Sequence, residues 1–359
     1  MAGREVTDPG FMVLPDLASR RLGGSVACAS DELFADKENL IKPEAPVFAA
    51  DDYGPKGKSY DGWETRRRRG PGTGHDHAIV RLGAAGIVHG VVVDTAHFRG
   101  NYPPEISVEA AGTEGYPALA ELAAMTWETL VERTGAEGDT ANIYAVHDRR
   151  RWTHVRLSIY PDGGVARFRV HGLVLPDPRF MTGTVDLVAM ENGGQVLGCS
   201  NAFFSAPANL ILPGRARAMS EGWETARRRG PGHEHVTFRL GAPGELRHVE
   251  VDTSCFIGNA PGWVRLSAID ERGADPADPA SWREVLTRTR VQPDTRHRFR
   301  VDDPSAVTQI RLDVIPDGGL ARLRAYGEVT PDALRELRRR WLKALPGAQR
   351  RLIGDDPCG

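Results

Sequence analysis

No apolar stretch in the 359 residues approaches the ~20 that a membrane-spanning helix needs, and the opening Met-Ala-Gly-Arg-Glu has no apolar signal core. Cysteine is scarce. The four, at 28, 199, 255 and 358, are scattered and form no Cys-x-x-Cys pair, which excludes a zinc-type cluster. Without a secretory signal they are expected to be reduced thiols, and the chain is expected in the cytoplasm. The formal net charge of -2 excludes a general attraction to nucleic acid or to an anionic membrane. The sequence also lacks a Gly-rich phosphate loop and a Gly-x-Ser-x-Gly elbow, so nucleotide hydrolysis and serine-esterase chemistry have no support. Glycine and proline are plentiful instead, at 40 and 25, as expected of short strands joined by tight turns.

The strongest positive feature is an internal duplication. Asp61-Gly-Trp-Glu-Thr-Arg-Arg-Arg-Arg-Gly-Pro-Gly returns as Glu221-Gly-Trp-Glu-Thr-Ala-Arg-Arg-Arg-Gly-Pro-Gly. Asp16-Leu-Ala matches Asp186-Leu-Val, and Ser30-Asp-Glu-Leu-Phe with Asn39-Leu-Ile matches Ser200-Asn-Ala-Phe-Phe with Asn209-Leu-Ile. Val93-Asp-Thr pairs with Val251-Asp-Thr, and Pro161-Asp-Gly-Gly-Val-Ala-Arg with Pro316-Asp-Gly-Gly-Leu-Ala-Arg. Two copies of about 150 residues are tandem domains, not a solenoid. The expected organisation is a tail over 1–15, a first repeat over 16–174, a linker over 175–185, a second repeat over 186–329 and a helical tail over 330–359.

Within each repeat, hydrophobicity alternates with period two. Ala78, Val80 and Leu82 alternate with Ile79 and Arg81, and the copy sets Val236, Phe238 and Leu240 against Thr237 and Arg239. Such strands have one buried and one wet face, which predicts antiparallel sheets stacked as a sandwich. One short helix is expected between Tyr116 and Val131. After Thr330, a possible cap, Pro331 suits the first helical turn, and Leu334, Leu337, Trp341, Leu342 and Leu345 recur at helical spacing. The opposite face of that helix is basic, with Arg335, Arg338, Arg339 and Arg340, and reads as solvated.

Taken in order, Asp-Leu-Ala-Ser…Leu-Gly-Gly, Ser-Asp-Glu-Leu-Phe-Ala, Asn-Leu-Ile, Asp-Gly-Trp-Glu-Thr-Arg-Arg-Arg, Gly-His-Asp and Val-Asp-Thr-x-x-Phe-x-Gly-Asn resemble the allantoicase family over about Phe11 to Val329. The resemblance implies all-β architecture, with tandem jelly-roll sandwiches of the galactose-binding-like kind. It implies hydrolysis of allantoate to ureidoglycolate and urea, commonly by a homo-oligomer. One position departs from the family pattern: after Gly-His-Asp an aromatic is expected, and this chain has His77.

Allantoate carries one carboxylate and two ureido groups on one carbon. Releasing urea needs an acid at the leaving nitrogen or a Lewis acid on its oxygen, a base for water, and a cation for the carboxylate. Glu64 and Glu224 of the Gly-Trp-Glu-Thr motif are candidates for base or ureido acceptor; alternatively they pair with neighbouring arginines or pin a loop. Arg67 with Arg227 and Arg68 with Arg228 are candidates for the carboxylate grip, the remaining arginines reading as solvated. His75-Asp76-His77 and His233-Glu234-His235 place two imidazoles on one strand face, away from the core. With the acid between them they suggest proton transfer or a divalent metal such as manganese, and the sequence does not decide which. Asp94 and Asp252 end hydrophobic runs and either face a rim pocket or cap the following loop. Asn101 and Asn259 either accept a positive φ in a turn or donate to a ureido oxygen. Trp63 and Trp223 read as packing. The alternative function is a non-catalytic module binding a small polar ligand or sugar, which the charge-rich repeated loops disfavour.

Overall fold

The computed structural model describes residues 10–353, apart from 50, 52, 55, 56, 59 and 70–73; of 351–353 only the backbone is described. Two units form, one from residues up to 175 with those from 342 onward, the other from 176 to 341. Each is an antiparallel jelly-roll sandwich built around one 19-residue strand, Asp76–Asp94 or Glu234–Asp252.

In the first unit that strand pairs along its first half with Ser25–Ala29 and Arg151–Tyr160, and Arg151–Tyr160 continues the sheet to Glu105–Ala111 and Glu128–Gly135. Its second half pairs instead with Arg167–Val174 and Ala141–Ala145. The change of partner falls at a register break between Arg81 and Gly86, where the strand carries two glycines, Gly83 and Gly86. A bend at that point lets a single strand serve both sheets. The second unit repeats the plan: Glu234–Asp252 pairs with Gln195–Cys199, Ala306–Ile315, Arg322–Val329 and Arg296–Arg300, and breaks register between Arg239 and Gly244.

The period-two residues fill the cores. Ala78, Val80, Val155, Leu157, Ile159 and Phe168 are buried in the first unit, and Val236, Phe238, Ile310, Leu312 and Leu323 in the second. Trp63 and Trp223 are fully buried, each indole donating to a backbone carbonyl, of Asp31 and Asn201 respectively, at 2.8 Å. The helix between Tyr116 and Val131 is confined to Leu119–Ala124, because residues from Glu128 onward join the sheet. The tail forms helices Pro331–Ala344 and Gly347–Ile353; Leu337, Trp341 and Leu345 are buried, and Arg335, Arg339 and Arg340 are exposed. No helix among the described residues is long and apolar enough to cross a membrane.

Candidate active site

The bend brings both ends of the long strand to one rim. Asp76 N donates to Pro161 O at 3.2 Å, and Ala166 N donates to Asp94 O at 2.7 Å, so a six-residue segment ties the two ends together. That segment organises everything around it. Arg68 N donates to Asp162 Oδ2 (2.6 Å), Thr65 N to Gly163 O (3.1 Å), and Gly164 faces Glu64 across a two-residue ladder. The second unit repeats these contacts: Glu234 N to Pro316 O, Arg228 N to Asp317 Oδ2, Thr225 N to Gly318 O, and Glu224 opposite Gly319. The glycines are required. Gly163 and Gly318 have φ of 146° and 132°, and a Cβ on Gly164 or Gly319 would lie 2.1 or 2.0 Å from the ring of Phe98 or Phe256.

Beside this turn, on the outer face of the first unit's sheet, lies an open cleft of about 620 Å³. Its walls include Arg68, His75, His77, Ser107, Arg156 and Tyr160. Strand register sets the floor: His77 lies opposite Ser158, Ser158 opposite Ser107, and Arg156 opposite Glu109. Directly opposed residues share a face, so these groups converge by construction. The His75 ring lies 4.7 Å from that of Tyr160, whose hydroxyl is 2.9 Å from Ser107 Oγ. Arg156 donates to Glu109 at 2.8 Å and lies over the Trp127 ring. Burial, then the Arg156 and Arg68 charges, hold the His75 pKa below its ordinary value. Burial, Arg156 and His75 do the same for His77, leaving two neutral imidazoles near neutral pH.

At the matching place in the second unit, Asp313 stands opposite both His235 and Arg265. This carboxylate is completely buried and held by Arg265 at 2.8 Å and Arg311 at 2.9 Å. His233 Nε2 approaches it to 3.2 Å, outside hydrogen-bond alignment.

The allantoicase-repeat family model matches residues 15–175 and 185–330, nearly the whole chain. The chain belongs to the allantoicase family. It is 52% identical to a probable allantoicase of Nocardia farcinica over 331 residues, 91% of this chain and 98% of the relative. It is 47% identical to one of Streptomyces coelicolor, over 94% of this chain and 91% of the relative. Among solved structures, the Saccharomyces cerevisiae allantoicase is similar at 33% identity and a TM-score of 0.75, covering 90% of this chain and 98% of that one.

Against this allantoicase frame the residues singled out from sequence separate clearly. His75 and His77 share a face at the cleft, as expected. Asp76 does not join them: strand alternation turns it inward, where it accepts from Arg68 Nη2 (2.7 Å) and Ser30 Oγ (2.8 Å). Glu234 is held in the same way by Arg228 and Ser200. A metal site built from the two histidines and the acid between them therefore has the wrong geometry. Among the described residues no three His, Cys, Asp or Glu side chains converge as a metal set. Arg68 and Arg228 are engaged by these internal carboxylates, Arg68 still lining the cleft, whereas Arg67 and Arg227 are exposed.

Glu64 and Glu224 do not pair with the neighbouring arginines; each accepts from an asparagine, Asn101 Nδ2 at 2.7 Å and Asn259 Nδ2 respectively. Burial raises the Glu64 pKa, and the Asn101 hydrogen bond opposes the rise. The positive φ expected of Asn101 and Asn259 falls instead on His97 and Cys255. Asp94 and Asp252 do not line the cleft; each caps its loop, accepting at 2.8 Å from Ala96 N or Ser254 N. Tyr160, Arg156, Ser158, Asp162 and Asp313 are not among the site candidates read from the sequence. The repeated Pro-Asp-Gly-Gly, which enters the sequence reading only as part of the duplication, is the signal for Asp162, and Tyr160 immediately precedes it.

Proposed function

We propose that this chain hydrolyses allantoate to ureidoglycolate and urea in the histidine-lined cleft of its first repeat. Family membership supports the reaction, a hydrolysis in purine catabolism. The cleft supports the location: it combines two imidazoles of lowered pKa with cationic side chains and space for a small polar substrate. A water oxygen bonds to the central carbon while the bond from that carbon to one ureido nitrogen breaks. The electron pair leaves with the nitrogen, which takes up a proton, so that urea departs neutral. In this reading a neutral imidazole, His75 or His77, takes the proton from water, and the imidazolium formed returns it to the leaving nitrogen. Arg156 and Arg68 supply the positive field for the substrate carboxylate. Glu64 and Asn101 hold the turn that shapes the rim and act as positioning residues, as Glu224 and Asn259 hold the matching turn of the second repeat. Among the described residues no three metal-type donors converge, so proton transfer falls to the cleft's own side chains.

The chain is further proposed to work as a homo-oligomer in the cytoplasm. The exposed Phe203, Phe204 and Ile257 of the second repeat support self-association, and the free Cys28, Cys199 and Cys255 support a reducing compartment. The deciding experiment is urea release from allantoate by purified protein carrying His75→Ala or His233→Ala. Loss only in His75→Ala supports the cleft. Loss only in His233→Ala moves the chemistry to the second repeat.

A further inference from the structure

We propose that the first repeat binds the substrate's carboxylate where the second repeat keeps the carboxylate of Asp313. This rests on reading the cleft as the catalytic site. Position by position, His75 corresponds to His233 by the repeated His-x-His, and Arg156 to Arg311, Ser107 to Arg265 and Ser158 to Asp313 by the same cross-strand register. In the second repeat the cationic site is complete and already occupied by its own aspartate. In the first, two serines replace the aspartate and one of its arginines, and the open cleft stands above them.

The remaining hydroxyl supplies an independent observation. Ser158 Oγ is buried at 1% exposure and has no hydrogen-bond partner among the described residues. It shares a face with His77 and Ser107, which line the cleft, and so lies just beneath the floor as a buried hydroxyl with nothing to receive its proton. A carboxylate oxygen placed there accepts from Ser158 and lies between His75 and Arg156, as Asp313 lies between His233 and Arg311. Glu109, which also lines the cleft, holds the Arg156 guanidinium through Nε and Nη2 at 2.8 and 2.7 Å; the second repeat has Ser267 at that position. The second repeat thus contains an internal likeness of the bound substrate.

The test is to give the first repeat its own aspartate. Ser158→Asp is expected to raise KM for allantoate at least ~30-fold, the value of a charge-assisted contact, without lowering the melting temperature. Ser158→Asn, of similar volume but uncharged, is expected to raise KM less. Methylenediurea, which keeps both ureido groups and lacks the carboxylate, serves as a competitive probe whose inhibition constant moves less than the allantoate KM. A KM within twofold of wild type in Ser158→Asp, or equal effects of Asp and Asn, overturns the proposal. If Ser158→Asp does not fold, Ser158→Ala decides: a KM increase of about 3- to 10-fold supports the hydroxyl contact and an unchanged KM overturns it. Failure here with His75→Ala still inactive removes only the carboxylate position, whereas an active His75→Ala removes the cleft reading itself.

Discussion

The two repeats share a skeleton and differ where it matters chemically. Both bury a tryptophan and a phenylalanine at the same places, Trp63 with Phe98 and Trp223 with Phe256. Both bond a glutamate to an asparagine and thread Pro-Asp-Gly-Gly beneath the arginine loop. On the outer sheet face they part. The first repeat has Ser107, Ser158 and an open cleft; the second has Arg265 and Asp313 closed into an ion-pair cluster. Duplication has thus left similar scaffolds that fill one patch differently: an open cleft in the first and a self-satisfied ion-pair cluster in the second. The histidines and arginines of the patch are common to both copies, so the difference lies in what fills the space between them.

The sharpest way to break this comparison is reciprocal substitution at the histidines. His75→Ala should lower kcat/KM by at least ~100-fold, as for a general base, and His233→Ala should stay within about threefold, measured by urea release. Because burial and arginine charges hold the His75 and His77 pKa values below 6.5, wild-type kcat/KM should fall only as pH drops through a midpoint below 6.5. An acid limb above that value argues against either imidazole as the base.

A second test uses acid stability. His154 is buried in the first repeat with its pKa lowered to about 4 by burial and then by Arg81, whereas Gln309 fills the equivalent place in the second. A histidine whose pKa is depressed on folding binds its proton more readily when unfolded, so stability is lost as pH falls from about 6.5 towards 4. The loss approaches roughly 3 kcal/mol at full extent. Thermal melts between pH 7 and 4.5 should show His154→Gln less acid-sensitive than wild type; equal sensitivity rejects the assignment.

Asp313→Asn should destabilise the second repeat by about 2 kcal/mol, since it strips the counter-charge from two half-exposed arginines and unpairs a buried site. Urea release should barely change. If turnover collapses with stability intact, the second repeat is not merely structural. The smallest effect is expected at Glu64: Glu64→Gln keeps an oxygen for Asn101 to donate to, so kcat should stay within about threefold. A hundredfold loss returns that carboxylate to the chemistry.

Much of this was legible beforehand because it depends on short-range pattern. The outward direction of His75 and His77 followed from strand alternation, and so, in principle, did the inward turn of Asp76. The partners of those residues were not legible. Arg156 and Glu109 lie far along the chain from His75, and nothing local marks Ser158 as different in kind from any strand serine. Asp94 and Asn101 were ambiguous because the same residues serve capping, turn and catalytic roles, and only their hydrogen-bond partners separate these.

The sequence by itself determined the duplication, the antiparallel sandwich, the buried tryptophans and the family. These rest on repeated motifs and on a two-residue period that every strand carries within itself. The tertiary structure decided which side chains meet. Cross-strand register, and the bend that returns Asp76 and Asp94 to one rim, set distances between residues up to a hundred positions apart. Pairing of that range is a property of the folded sheet, in which the backbone hydrogen bonds of one strand fix the neighbours of another.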